Sequence, residues 1–139
     1  MLKLPLLNIF LEIFFDAVLN KNKDLLKTFM TKDLQELEET NTQINKFFEF
    51  FDGEIESYSE PKSEISFDTN DYNRGFVGIV SNIKTSTGKN YEMEFEYIDG
   101  LGIYEIILMD SDVYNKRKGE PISARVYVGD IFYRFHNNL

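Results

Sequence analysis

Glu92, Glu94 and Glu96 alternate with Tyr91, Met93, Phe95 and Tyr97, and Glu105 lies a short distance on. Carboxylates that close could trade protons, hold a cation or attract a basic partner. Proton transfer requires a base within hydrogen-bond reach of the reacting group. The residues that would share a site with Tyr91, Tyr97 and Tyr104 include no carboxylate on the same strand face, and a buried tyrosine hydroxyl ordinarily just finds a hydrogen-bond partner. His136 is the single histidine, close to the chain end, so no histidine triad or histidine metal cluster can be built. The loop from Asp68 to Gly75 carries oxygen ligands, but Asn73 and Ile79 stand where a calcium loop needs glycine and a bidentate glutamate. No glycine-rich phosphate loop and no G-x-S-x-G motif is present. The sequence therefore predicts no catalytic residue, no bound metal and no cofactor.

The stretch that positions the glutamates is YEMEFEYIDGLGIYEIILM, residues 91–109. Period two gives one apolar and one acidic face. Asp99-Gly100 between two such runs is a strong hairpin signal, because a type I′ turn needs φ > 0 at both central residues. A two-residue turn would pair Ile98 with Leu101, Tyr97 with Gly102, Phe95 with Tyr104, Met93 with Ile106 and Tyr91 with Leu108. It would set Glu94 opposite Glu105, at a cost of roughly 0.2–1 kcal/mol for the like charges. Glu92, Glu94, Glu96 and Glu105 would then form one solvent-facing acidic patch. The strand before it, Phe76 to Thr85, enters Ser86-Thr87-Gly88, a three-residue loop with glycine in the left-handed place. That register sets Val77, Ile79, Ser81 and Ile83 beside Tyr97, Phe95, Met93 and Tyr91, with Asn82 and Lys84 on the acidic face.

At 139 residues the chain fits one domain, 1–139. This size can bury about two-thirds of its unfolded surface without staples. There are no cysteines, which removes thiol catalysis, thiolate zinc sites and disulfides. The net charge is −9. Such a chain repels nucleic acid and anionic membrane and favours basic partners.

Residues 2–19 are strongly apolar, but Asn8, Glu12 and Asp16 interrupt the run, against both a signal peptide and a membrane span. The spacing predicts a helix after Pro5, with Phe10, Ile13, Phe14, Ala17 and Val18 in one stripe and Leu7, Leu11 and Phe15 in an adjoining one that could meet a second copy of the chain. Leu25, Leu26, Phe29 and Met30 make a short amphipathic segment. Thr31 can cap the next helix, in which Leu34 and Leu37 face inward. A third helix opens at Thr40 or Asn41 and carries Ile44, Phe47, Phe48 and Phe51 at core spacing, with Gly53 as its stop.

Glu54 to Glu60 reads as a first strand, broken by Pro61 and resumed at Ile65 and Phe67. Lys116-Arg117-Lys118 lies in a polar turn. Gly129-Asp130 predicts a terminal hairpin of 122–128 and 131–135. Helices over about 6–52 and then antiparallel strands over about 54–135 give an α+β class.

FFEFFDGEIESY, NYEMEFEYIDGLGIYEI and the earlier LEIFFDAVLNKNKDLLKTFMT together resemble an uncharacterised bacterial family of the nuclear-transport-factor-two-like superfamily, over about residues 6–108. The resemblance implies a cystatin-like cone, a curved antiparallel sheet packed against three N-terminal helices, as in ketosteroid isomerase and the SnoaL-like cyclases. It also implies a pocket inside the cone, which would be lined here by Tyr91, Phe95 and Tyr104. Relatives often follow a lipoprotein leader, so a surface or exported location stands beside the cytoplasmic one that this cysteine-free sequence suggests.

The functional expectation is a non-enzymatic binding protein, monomer or homodimer, that docks a basic protein through Glu92, Glu94, Glu96 and Glu105. Immunity proteins neutralise secreted toxins in this way. The alternative is a small-molecule or dimerisation module using the pocket or the sheet.

Overall fold

The computed structural model describes residues 4–68, 74–112 and 125–129. Four helices come first: α1 (Leu4–Leu19), α2 (Lys23–Thr28), α3 (Lys32–Glu36) and α4 (Glu38–Phe50). Six strands come after them: β1 (Ile55–Ser57), β2 (Lys62–Asp68), β3 (Arg74–Thr85), β4 (Asn90–Ile98), β5 (Gly102–Asp110) and β6 (Arg125–Val128). All pair antiparallel in one open sheet of order β1-β3-β4-β5-β6, with β2 also on β3. The α+β class holds, with four helices rather than three among the described residues.

The helix boundaries reflect local chemistry. At the end of α1, Lys21 takes a positive φ of 49°, its N–H donates to the Val18 carbonyl, and the Asn22 N–H donates to Ala17. This is a Schellman ending with lysine where glycine is usual. Asn22 then caps α2 by accepting from the Leu25 N–H at 3.1 Å. Thr31 caps α3 through Leu34, as the sequence predicts, and the buried Thr40 hydroxyl donates to the Leu34 carbonyl to seat α4 against α3. α4 begins at Glu38, two to three residues before the predicted opening, because Leu37 both ends α3 and starts α4, with no side-chain cap.

α1 corrects one face assignment. Leu11, Phe14, Phe15, Ala17 and Val18 are buried, whereas Ile13 is 46% exposed. At about 100° per residue the buried arc spreads from Ala17 through Phe14 and Val18 to Phe15, and Ile13 falls beyond its edge. Leu7 lies outside the residues whose side chains are described. On α4, the expected Ile44, Phe47, Phe48 and Phe51 stripe is buried throughout.

Two of the sheet's register shifts set how β3, β4 and β5 align. The turn Ser86-Thr87-Gly88 forms as expected: Thr85 and Lys89 close it, Gly88 has φ +85°, and Ile83 pairs with Tyr91. Further along β3 the register slips between Val80 and Ile83, at Asn82, which takes φ 54°. Beyond the slip Phe76, Gly78 and Val80 lie opposite Tyr97, Phe95 and Met93. Val77 and Ile79 therefore face outward, against the sequence expectation, because one extra residue inverts the faces of everything beyond it. Gly78 is needed where it stands: the ring of Phe95 covers it, and a Cβ there would overlap the ring carbons.

The β4–β5 turn also differs. Ile98 pairs with Gly102 around a three-residue loop, and a second bulge intervenes before Glu96 meets Glu105. From there Phe95 pairs with Ile106, Met93 with Leu108 and Tyr91 with Asp110. The offset from the expected register has grown to two residues, so the apolar positions return to the same face. Gly102, at φ +115°, lets β5 approach the chain between α2 and α3; a Cβ there would lie 2.8 Å from the Phe29 carbonyl oxygen. The Ile103 N–H donates to that carbonyl and the Ile103 carbonyl accepts from Thr31.

The core lies between the helices and one face of the sheet. Phe14 packs on Phe95 at 4.6 Å between ring centroids, Phe10 on Tyr97 at 4.8 Å and Phe51 on Tyr91 at 5.1 Å. Fully burying a side chain of this kind contributes about 1.5–3 kcal/mol. That exceeds the repulsion between neighbouring glutamates on the other face, so packing decides which side turns inward. Of the predicted terminal hairpin, β6 forms and pairs with β5. The second arm, 131–135, lies outside the described residues, as do Lys116-Arg117-Lys118, His136 and positions 69–73 of the Asp68 loop.

Candidate binding face of the sheet

β4 is held on both sides, by β3 and by β5, so its alternation is fixed by two ladders. Tyr91, Met93 and Phe95 are buried under the helices. Glu92, Glu94 and Glu96 point the other way and are half-buried. Alternate residues on a strand are about 6.8 Å apart and adjacent strands about 4.8 Å. The three carboxylates thus form a row along the middle of the sheet. Val77 lies beside Glu96 and Ile79 beside Glu94 on β3, while Ile107 and then Tyr127 continue across from Glu94 on β5 and β6. Val77, Ile79, Ile107 and Tyr127 are all half-buried. The helices' ring contacts to the sheet, to Tyr91, Phe95 and Tyr97, reach the opposite face.

The glutamate quartet is revised in two respects. Glu105 faces Glu96 and not Glu94, because the three-residue turn and the Tyr104 bulge move β5 by two places. Glu105 is also buried, at 4% exposure, so it is not part of the open surface. Glu92 accepts a hydrogen bond from the Ser81 hydroxyl at 3.2 Å. Lys84 is exposed, and Asn82 spends its amide on the Ser59 hydroxyl at 2.8 Å instead of reaching the glutamates.

The second group of residues, Tyr91, Phe95 and Tyr104, is buried. Their exposures are 1%, 2% and 2%. Tyr91 meets the edges of Phe50 and Phe51, and Phe95 is sandwiched between Phe14 and Gly78. A depression of about 350 Å³ lies elsewhere, lined by Leu19, Asn20, Lys21, Glu54 and Ile55. Phe47, Phe48 and Phe51 are buried in the same core.

The structure also brings together a cluster that the sequence pattern does not reveal. Asp110 stands opposite Tyr91 on the core side of the sheet, where Leu108 was expected. It is 6% exposed. Lys89 lies 3.8 Å from the Asp110 carboxylate and 3.9 Å from that of Asp52. The Tyr91 hydroxyl accepts from the Asp52 N–H at 2.8 Å and donates to the Phe50 carbonyl at 3.1 Å, bracing the end of α4. Burial pushes the Tyr91 hydroxyl above the ordinary tyrosine range, with the Asp110 and Asp52 charges adding to it; the Asp52 N–H and the Lys89 charge pull the other way. Tyr97 is raised as well, chiefly by burial and then by Asp99. Gly102, so soon after Asp99-Gly100, is the one sequence signal that could have suggested the longer turn and hence the placement of Asp110.

Among the described residues no group of three or more histidines, cysteines, aspartates or glutamates could hold a metal ion. No helix among them is long and apolar enough to cross a membrane.

Residues 13–110 match the model of a protein family described as a domain of unknown function (DUF5104). No curated protein and no solved structure matches the chain. The match spans well over half of the 139 residues, and the chain belongs to this family.

Proposed function

We propose that this member of the DUF5104 family is a non-enzymatic binding protein whose outer sheet face docks a basic partner protein. The single observation that carries the reading is the row Glu92, Glu94 and Glu96 on the middle strand, flanked by Val77, Ile79, Ile107 and Tyr127. Apolar side chains would supply contact area, and carboxylates would supply register and discrimination against acidic competitors. Complementary charge speeds encounter and suppresses wrong partners. The net charge of −9 acts in the same direction at longer range. Toxin neutralisation, in the manner of an immunity protein, is the kind of task such a face suits. Glu105, being buried, would not touch the partner.

The fold we propose for this role is the nuclear-transport-factor-two-like cone. Helices on one side, an antiparallel sheet on the other and two bulges that curve it support that reading. The ring contacts that Tyr91 and Phe95 make with Phe50, Phe51 and Phe14 favour a surface role over an internal ligand.

Tagged wild-type chain and the Glu92→Lys/Glu94→Lys variant, each used to capture proteins from the native host, test the reading. The expected result is one or more basic proteins held by the wild type, released as salt rises and absent from the variant. Equal capture by both chains at equal thermal stability would remove the face from the account.

A further inference from the structure

We draw no further inference here: the strongest candidate, the Asp52–Lys89–Asp110 cluster around the Tyr91 hydroxyl at the end of α4, carries nothing because its groups are engaged in tying α4 to the β3–β4 turn and to β5, and nothing in the structure points to a ligand there.

Discussion

The two faces of β4 come from the same nine residues, yet they are held by different physics. Tyr91, Met93 and Phe95 are at most 2% exposed, and Phe95 and Tyr91 pack against rings from α1 and the end of α4. Glu92, Glu94 and Glu96, one residue away in each case, have a row of carboxylates and aliphatic side chains around them. The inner face is specified by shape, so almost any change there should be felt in stability. The outer face carries half-buried carboxylates among aliphatic side chains, so changes there should be felt less in stability and more by a partner.

The largest effect belongs to the inner face. Phe95→Ala removes the ring between Phe14 and Gly78 and should cost about 3–5 kcal/mol in urea unfolding, the range for emptying a packed aromatic site. A cost under about 1 kcal/mol would mean that the site is loosely packed and that the inner face is not fixed by shape. Gly78→Ala probes the same contact from the other side. Its Cβ would run into the Phe95 ring, so the ring must shift, at about 1–3 kcal/mol. Combined with Phe95→Ala, the Gly78 substitution should lose most of its penalty, because the clash disappears with the ring.

Tyr91→Phe sharpens the comparison at the edge of the core. It removes one acceptor and one donor from the end of α4 and should cost about 0.5–1.5 kcal/mol. A pH signature accompanies it. The folded-state pKa of Tyr91 lies above the ordinary tyrosine value of 10.0, so between the two values the unfolded chain holds fewer protons than the folded one. Its stability contribution is therefore complete below about pH 10 and declines as pH rises through the raised folded value. Unfolding midpoints measured from about pH 8 to about pH 11 should fall less steeply for Tyr91→Phe than for the wild type. Tyr97, raised in the same direction, accounts for part of the remaining slope.

The smallest effect on stability is expected on the outer face. Glu92→Lys/Glu94→Lys should cost no more than about 1 kcal/mol, the loss of the Ser81–Glu92 hydrogen bond being offset in part by relief of like-charge repulsion along the row. Loss of the fold in this variant would show that the outer face, too, is a packing surface.

Much of this contrast can be read from the sequence, and the parts that cannot have a common cause. The alternation of 91–97 and the α4 stripe are legible because burial imposes a period on residue type. The Ser86-Thr87-Gly88 turn is legible because glycine marks its left-handed position. The bulges at Asn82 and Tyr104 are not, since a single extra residue leaves the local alternation intact and changes only what lies across from it. Asn82 offers a faint signal, asparagine being one of the few side chains that tolerate φ > 0. Their consequences reach into the candidate site: they turn Val77 and Ile79 outward beside the glutamates, set Glu105 opposite Glu96 and bring Asp110 to Tyr91. The longer β4–β5 turn escapes a rule that takes Asp-Gly as a two-residue loop; Gly102 hints at it, but the reason for that glycine, the approach of Phe29 and Met30, is visible only in the fold.

The central claim, that the carboxylate row on β4 meets a basic protein, is tested most directly by the salt dependence of capture from the native host. Wild-type chain should hold its partner at low salt and lose it progressively as screening shortens the reach of surface charge, and Glu92→Gln/Glu94→Gln should bind less at low salt with a flatter dependence. A captured partner whose retention is the same for both chains at every salt concentration would contradict the account.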